Sequence, residues 1–348
     1  MSSKKIIFIN YSSYVSGAEF SLKQLIVGIN PSVKKYLITT GNHFFFKGYE
    51  EKCVLNESHK FKTWFYNVIK SIKFLLKVNP DILYFNNSKS FILLFPLSIF
   101  FFRKKIIWHI RDNIKFKLIE NLLCFFCDKI ICNSKYIFNQ LFFNNKAVVV
   151  YNGIDTDLFV PTIEYNNKKK LIAIVSQITP WKKLEDFIEI VKIISFNFPN
   201  TDFLIIGDIL NPKDLVYKKK LENLIIKYSL EKEIKFIGFK ENIEDYMSKI
   251  DVLCHMASKE PFGRVLIEAM SCGKPVIAYM SGGPKEIITE KTGFLIPTGE
   301  IEIFANKIEE LLRDDELRIN MGKNARKHIL NNFSEFKYIY EIEKLLEI

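Results

Sequence analysis

Short apolar runs alternate with longer helical stripes along the first half of the chain. Residues 22, 25, 26 and 29 are apolar at helical spacing, which predicts an amphipathic helix. A second stripe, residues 64–76, ends at Asn79-Pro80, a helix stop signal. Runs of about five apolar residues are typical of strands buried on both faces of a parallel sheet. The predicted strands are residues 5–10, 82–85, 106–110, 129–132 and 147–151.

The same alternation restarts after Pro161 and a polar linker at residues 162–170. The predicted strands are 171–175, 203–206, 234–237, 252–254, 275–278 and 294–296, and the predicted closing helices are 303–312, 317–330 and 336–346. The pattern predicts two doubly wound α/β domains, residues 1–161 and 162–348. Ligands of such sheets bind beyond the carboxyl ends of the strands, so a cleft between the halves is the expected site.

The length of 348 residues agrees with two domains. The longest charge-free apolar run, residues 90–102, contains Pro96 and is shorter than the roughly 20 residues that span a bilayer. The first apolar stretch is too short for a signal peptide. Six cysteines without an export signal predict free thiols in a reducing compartment, so we expect a cytoplasmic protein.

Two short patterns suggest metal binding but have simpler interpretations. Cys124, Cys127 and Cys132 lie close together, but the sequence offers no second ligand pair nearby, so we expect small buried residues. Asp155-Thr-Asp157 follows the turn pair Asn152-Gly153, and a turn with a capping aspartate explains it. We therefore expect no metal site.

Positive charge and phenylalanine are concentrated in the first half. Residues 1–160 carry 22 Lys+Arg against 10 Asp+Glu and 21 of the 32 phenylalanines, whereas the remainder carries 28 cations against 29 anions. No zinc-finger, RNP or KH signature supports nucleic-acid binding. Apolar residues beside cations at 100–105 and 122–126 favour an anionic membrane surface, although a core helix with a basic end remains an alternative.

Two carboxylates eight residues apart form the sharpest motif, Glu260-Pro-Phe-Gly-Arg-Val-Leu-Ile-Glu268. Gly263 opens a predicted helix between them, and backbone N–H groups at a helix start can hold a phosphate or sugar hydroxyls. Both acids can then reach one ligand. There is no Gly-x-Gly-x-x-Gly and no Walker loop, so no nicotinamide, flavin or other cofactor is expected.

The motif resembles the Glu-x7-Glu signature of the retaining glycosyltransferase family 4 (glycosyl transferases group 1), which has the GT-B fold. Other segments resemble the family in the same order along nearly the whole chain. They are Ser16-Gly17-Ala18-Glu19, Trp108-His109-Ile110-Arg111, residues 149–159, Ser281-Gly282-Gly283-Pro284-Lys285-Glu286 and the helix at 336–346. The resemblance implies two Rossmann-like domains facing a cleft, a first domain that binds the acceptor, and a final segment, 334–348, that returns to it.

The resemblance also implies roles for individual residues. Glu260, Phe262 and Gly263 would hold the donor sugar, His109 would contact it from the first domain, and Glu268 would bind the ribose. The glycines near the donor diphosphate would be Gly17, Gly282 and Gly283. A strand-end histidine bonded to the backbone is the alternative for His109.

One segment departs from the family pattern. Lys182 matches the lysine that neutralises the diphosphate, but Gln177 stands where arginine is common and Lys183 replaces a usual glycine. Glutamine donates hydrogen bonds but adds no charge. Lys183 or Arg264 is the expected substitute for the missing charge.

The resemblance implies a retaining, metal-independent hexosyltransferase that uses a nucleotide-diphosphate sugar, UDP- or GDP-linked, as substrate. The basic first half predicts a lipid-linked or surface-glycan acceptor at the inner face of the cytoplasmic membrane. The alternatives are a sugar-binding relative without turnover, which Gln177 suggests, a nucleotide-sugar 2-epimerase and a nucleic-acid-binding protein. The sequence leaves the sugar, base, linkage and acceptor open.

Overall fold

The computed structural model describes residues 3–12, 14–41, 45–57, 60–162 and 169–348. It divides the chain into two compact units, Met1–Gly153 with Glu335–Ile348, and Ile154–Ser334. The part of the predicted linker at residues 163–168 lies outside the described residues.

Seven strands in the described part of the first unit form one parallel sheet, in the order β3-β2-β1-β4-β5-β6-β7. They are β1 (Lys5–Asn10), β2 (Lys34–Thr39), β3 (Glu51–Val54), β4 (Ile82–Phe85), β5 (Lys105–Ile110), β6 (Lys129–Cys132) and β7 (Ala147–Val149). The central strands are buried on both faces, as their continuous apolar character predicts. The pattern did not predict β2 and β3, because polar residues begin each strand and only part of each is buried.

The helices of the first unit cover both faces of this sheet. They are α1 (Gly17–Gly28), α2 (Phe61–Val78), α3 (Ser88–Leu93), α4 (Pro96–Phe100), α5 (Lys117–Leu123) and α6 (Lys135–Phe138). As predicted, α2 ends at Asn79, which adopts a left-handed conformation with φ 49°.

The second unit holds a parallel sheet of six strands in its described part, ordered β10-β9-β8-β11-β12-β13. The strands are β8 (Lys170–Val175), β9 (Thr201–Ile206), β10 (Ile234–Gly238), β11 (Val252–His255), β12 (Val276–Tyr279) and β13 (Gly293–Ile296). The helices are α7 (Leu184–Ile194), α8 (Leu215–Lys227), α9 (Ile243–Met247), α10 (Arg264–Ser271), α11 (Pro284–Ile287), α12 (Ile301–Arg313) and α13 (Asp315–Asn332). Each strand was predicted within two residues of its observed ends.

The last helix, α14 (Glu335–Leu346), belongs to the first unit. Its side chains Tyr338, Ile342 and Leu346 are buried in a core shared with β1 and α1. Gly28 at the end of α1 makes room for it, since a Cβ there would lie 2.1 Å from Ile339 Cδ1.

The division between the units lies at Gly153–Ile154, eight residues before the predicted boundary at 161. The segment after Ile154 is fixed to the second unit by hydrogen bonds. Ile154 N–H donates to the Phe333 carbonyl, and the Phe159 carbonyl accepts from the Ser271 hydroxyl at 2.8 Å. Pro161 is therefore already part of the second unit.

Among the described residues, no helix combines the length and the apolar composition that a bilayer crossing requires. The apolar run at 90–102 is divided between α3 and α4, with Pro96 as the first residue of α4.

Candidate functional site

Lys182 and Glu260 form an ion pair in the second unit. Lys182 ends a short 3-10 turn, Pro180–Lys182, after β8, and Glu260 lies in the loop between β11 and α10. Lys182 Nζ is 2.7 Å from Glu260 Oε2, and the ammonium also lies 4.0 Å from the centre of the Trp181 ring. The predicted phosphate lysine and the predicted sugar-binding carboxylate are thus in direct contact.

The pair is largely enclosed, with side-chain exposures of 13% for Lys182 and 11% for Glu260. Burial acts to raise the pKa of Glu260, but the Lys182 ammonium and a hydrogen bond from His255 outweigh it and hold this pKa well below its usual range. Glu260 is therefore ionised at neutral pH. An ammonium has three N–H donors, so Lys182 retains donors for an incoming anion.

Two glycine positions join this loop to the next one. Gly283 N–H donates to the Glu260 carbonyl at 2.9 Å, and a Cβ on Gly283 would lie 2.3 Å from the Phe262 carbonyl oxygen. Gly282, with φ 50°, turns the chain into this contact. The structure thus brings the predicted residues Glu260, Phe262, Gly282 and Gly283 together.

Gly263 is the N-terminal cap of α10 and has φ 102°, a conformation that L side chains rarely adopt. This turn places Glu260 and Phe262 just before the helix start, where the positive end of the helix dipole lies. The arrangement can bind an anion or hydroxyl oxygens.

Arg264 and Glu268 form a separate pair along α10. Arg264 Nε donates to Glu268 Oε1 at 2.9 Å, and both side chains are at most 10% exposed. Burial raises the pKa of Glu268, although Arg264 partly opposes this. Because Glu268 balances its charge, Arg264 is a weak substitute for the arginine that Gln177 replaces.

The loop after β8 carries Gln177 and Lys183. Lys183 adopts φ 51°, which explains why glycine is usual at this position, and its Nζ lies 3.9 Å from Asp186 Oδ2. Gln177 is half-buried. The loop packs on Gly207, where a Cβ would lie 1.9 Å from the Ser176 carbonyl oxygen.

Gly17 and His109 lie in the first unit. Gly17 is the first residue of α1, and the Glu19 carboxylate accepts from the backbone N–H and the hydroxyl of Ser16, which caps this helix. The predicted glycine loop is thus a capped helix start.

His109 is the next-to-last residue of β5, close to the strand end where the resemblance puts it. The imidazole is fully buried on one face of β5, and Nδ1 is hydrogen bonded to the Tyr84 hydroxyl. Burial, and next the Arg111 charge, lower its pKa well below the usual value. Arg111 directly follows Ile110, the last residue of β5. The Nε2 of His109 is buried and has no hydrogen-bond partner among the described residues, and the contact of His109 with a sugar stays a prediction.

The patterns considered for metal binding have local explanations. Asp155 Oδ1 accepts from the N–H groups of Asp157 and Leu158, both at 3.0 Å, which makes the segment a capped turn. Cys124, Cys127 and Cys132 are buried, and burial raises the pKa of Cys124 to about 11. No group of three His, Cys, Asp or Glu residues in the described ranges is arranged to hold a metal ion.

Sequence reasoning missed three residues that shape these surroundings. His255 at the end of β11 contacts Glu260, Gly207 supports the loop of Gln177, and Arg111 organises the end of β5. Gly207 was detectable as a glycine directly after a predicted strand. The partners of His255 and Arg111 carry no sequence signal, because those contacts form only in the fold.

Comparisons with known proteins agree with this architecture. Residues 156–328 match the family model described as glycosyl transferases group 1. An uncharacterized glycosyltransferase of Methanocaldococcus jannaschii is 35% identical over 225 residues, which is 63% of this chain and 59% of that protein. N-acetyl-alpha-D-glucosaminyl L-malate synthase of Bacillus anthracis is 29% identical over 212 residues, 58% of this chain and 54% of that protein. The matches therefore span little more than half the length of these relatives.

Among solved structures, the complex of Anabaena HepE with UDP and glucose superimposes with a TM-score of 0.87, covering 99% of both chains at 23% identity. Sucrose-phosphate synthase from Thermosynechococcus elongatus gives 0.82 at 18% identity and covers 99% of this chain and 98% of that chain. At these identities the similarity concerns the fold, which is GT-B with two Rossmann-like units. The matched residues 156–328 make up nearly all of the second unit and include the Lys182–Glu260 pair, so this unit belongs to the glycosyl transferases group 1 family.

Proposed function

We propose that this protein is a retaining, metal-independent glycosyltransferase that takes a hexose from a nucleotide-diphosphate sugar. The observation that carries the proposal is the contact between Lys182 and Glu260 beside the Gly282–Gly283 loop and the start of α10. A cation with unused donors, adjoining a carboxylate and the positive end of a helix, suits a substrate with a diphosphate at one end and hydroxyls at the other.

In this proposal Lys182 stabilises the charge that grows on the diphosphate as the glycosidic bond breaks. Fixed charges and dipoles aimed at a developing anion lower the barrier without a bound metal. Glu260 accepts hydrogen bonds from the sugar hydroxyls, and Glu268 accepts them from the ribose. The nucleotide sugar is consumed as a substrate, so no separate cofactor takes part.

UDP is the nucleotide we expect. The solved structure of Anabaena HepE contains UDP and glucose, and an Escherichia coli relative, 28% identical over 231 residues, is named as a UDP-Gal-dependent galactosyltransferase that acts on a diphosphoundecaprenol-linked sugar. A further relative, CapM of Staphylococcus aureus, is named for capsular polysaccharide biosynthesis. These names support a lipid-linked or cell-surface glycan acceptor.

The surface of the first unit supports an acceptor at an anionic membrane. An apolar patch, which we define as Leu118, Leu122, Phe125, Phe142 and Phe143, is 44–70% exposed at each residue. The Phe125 and Phe143 rings lie 4.9 Å apart. Since the first half of the chain carries the excess of cations, we propose that this unit docks on the inner face of the cytoplasmic membrane.

A sugar-binding relative without turnover is the second candidate. It is favoured by Gln177, which brings no charge to the diphosphate, and by Arg264, whose charge is balanced by Glu268. A 2-epimerase would use the same donor without an acceptor.

Thermal unfolding with UDP-, GDP-, ADP- and dTDP-sugars, with and without EDTA, tests the donor site. A ligand at about 100 times its Kd stabilises the folded state by about 2.7 kcal/mol, and we expect a selective rise in Tm that EDTA leaves unchanged. Glu268→Ala should weaken the shift. No shift with any donor, or a shift abolished by EDTA, would contradict the proposal; a shift without donor hydrolysis would favour the non-catalytic relative.

A further inference from the structure

His255 is a buried titratable residue that has no role in the mechanism proposed above. It is the last residue of β11, and its side chain is 1% exposed. Its Nε2 lies 3.1 Å from Glu260 Oε2, the same oxygen that Lys182 binds at 2.7 Å. Glu260 Oε1 receives no hydrogen bond from the described residues, and this leaves one carboxylate oxygen for a ligand.

The protonation state of His255 follows from its surroundings. Burial, and to a smaller extent the Lys182 charge, lower its pKa, whereas the contact with Glu260 partly opposes them, and the net shift is downward. The imidazole is therefore neutral at pH 7 and has a single N–H. Because a carboxylate only accepts hydrogen bonds, that proton must reside on Nε2.

Two donors from different elements thus hold one oxygen of Glu260. Lys182 comes from the turn after β8 and His255 from the end of β11. A carboxylate held by a single donor can rotate about that contact, whereas two donors fix its plane and the direction of the second oxygen. A neutral second donor also leaves the negative charge of Glu260 balanced by Lys182 alone.

We infer that His255 is a positioning residue, which orients Glu260 so that Oε1 points at a hydroxyl of the donor sugar. The inference rests on the proposed function, because it assigns that sugar to Glu260. Replacing His255 should therefore weaken the interactions with the donor's sugar and leave the affinity for the nucleotide unchanged.

The test compares His255→Leu with His255→Gln, since the glutamine amide keeps an N–H donor near the position of Nε2. Both are measured for UDP affinity and for kcat and KM of hydrolysis of the donor found by thermal shift. We expect His255→Leu to leave the Kd of UDP within about twofold and to lower kcat by about 10- to 100-fold, the range for lost orientation of a reacting group. His255→Gln should recover most of that loss.

A double-variant cycle with Glu260→Gln separates positioning from packing. Once Glu260 is changed, adding His255→Leu should cost little further activity, because the two residues act as one unit. Leu253→Met, at a fully buried residue two positions before His255 in β11 and so on the same face of the strand, controls for a packing disturbance. Equal kcat in His255→Leu and wild type, or additive losses in the cycle, would overturn the inference and leave the proposed function intact.

A spectroscopic measurement tests the hydrogen bond from His255 to Glu260 and needs no catalytic turnover. In ¹⁵N NMR spectra of the imidazole at pH 7, we expect a neutral ring with the proton on Nε2. A proton on Nδ1, or a charged ring, would contradict the proposed contact. Wild-type protein that neither binds nor hydrolyses any donor would instead overturn the proposed function and the positioning role together.

Discussion

A cation lies at the carboxyl end of each sheet, but the two cations differ in how many protein groups they bind. In the second unit, Lys182 pairs with one carboxylate and keeps unused donors. In the first unit, Arg111 is 4% exposed, and its nitrogens donate to Asn86 Oδ1, Asn152 Oδ1 and the Tyr338 hydroxyl at 2.8, 2.6 and 2.8 Å. Both edges place a cation where such sheets bind ligands, but neutral groups of the protein itself already surround Arg111.

This difference shows what each cation is for. Tyr338 lies on α14, so Arg111 fastens the last helix to the end of β5 and to Asn152 at the end of the first unit's long segment. A cation with several protein acceptors stabilises a fold, whereas a cation with a single acceptor can serve a ligand. Substitutions of the two residues should therefore differ in what they damage.

Lys182→Ala should have the largest effect, and it should fall on turnover. Removing one preorganised charge from a developing anion lowers kcat by about 10²- to 10³-fold, so we expect donor hydrolysis or transfer to fall by that factor. Lys235→Ala is the control, because it removes a cation at 2.6 Å from Asp202, which Lys169 also neutralises. Near wild-type rates for Lys182→Ala would remove this pair from the mechanism.

Arg111→Met should act on stability instead. The methionine fills similar space but leaves Asn86, Asn152 and Tyr338 without their donor, and buried polar groups that lose a partner cost about 1–3 kcal/mol each. We expect urea denaturation to show a loss of about 3 kcal/mol, with nucleotide affinity retained. Lys77→Met, which breaks an exposed ion pair with Glu51, should change stability by less than about 0.5 kcal/mol. A stable Arg111→Met variant that no longer binds nucleotide would contradict the structural role assigned to Arg111.

The residues at the carboxyl end of the second unit's sheet were easier to predict from the sequence than those at the end of the first unit's sheet. The strands of the second unit and its Glu260–Glu268 spacing were predictable, because buried parallel strands and a helix start are determined by neighbouring residues. The partners of Arg111 come from β4, residue 152 and α14, so only the folded chain brings them together. The strand containing His109 was predicted correctly, but the face that this side chain occupies depends on packing against Tyr84.

The units also differ in exposed apolar surface, and vesicle flotation can test what this surface does. Phe125→Ser with Phe143→Ser should lower binding to vesicles containing anionic lipid by about tenfold, since full burial of one such side chain contributes about 1.5–3 kcal/mol. Binding should also weaken as salt screens the lipid charge. Phe196→Ser is the matched control, because this phenylalanine is 93% exposed in the second unit. Flotation that is indifferent to anionic lipid would contradict membrane docking.

Lys183→Gly should have a small effect on stability, and it tests which cation serves the donor diphosphate in the second unit. A non-glycine residue in the left-handed region costs about 1–2 kcal/mol, so glycine at φ 51° should raise the free energy of unfolding by about 1 kcal/mol. Ser229→Gly, at φ 57° on another loop of the same unit, should give a similar gain. The two variants should differ in donor affinity, which only Lys183→Gly lowers if this lysine supplies the charge that Gln177 lacks. Equal affinity in both variants would leave Lys182 as the cation that serves the diphosphate.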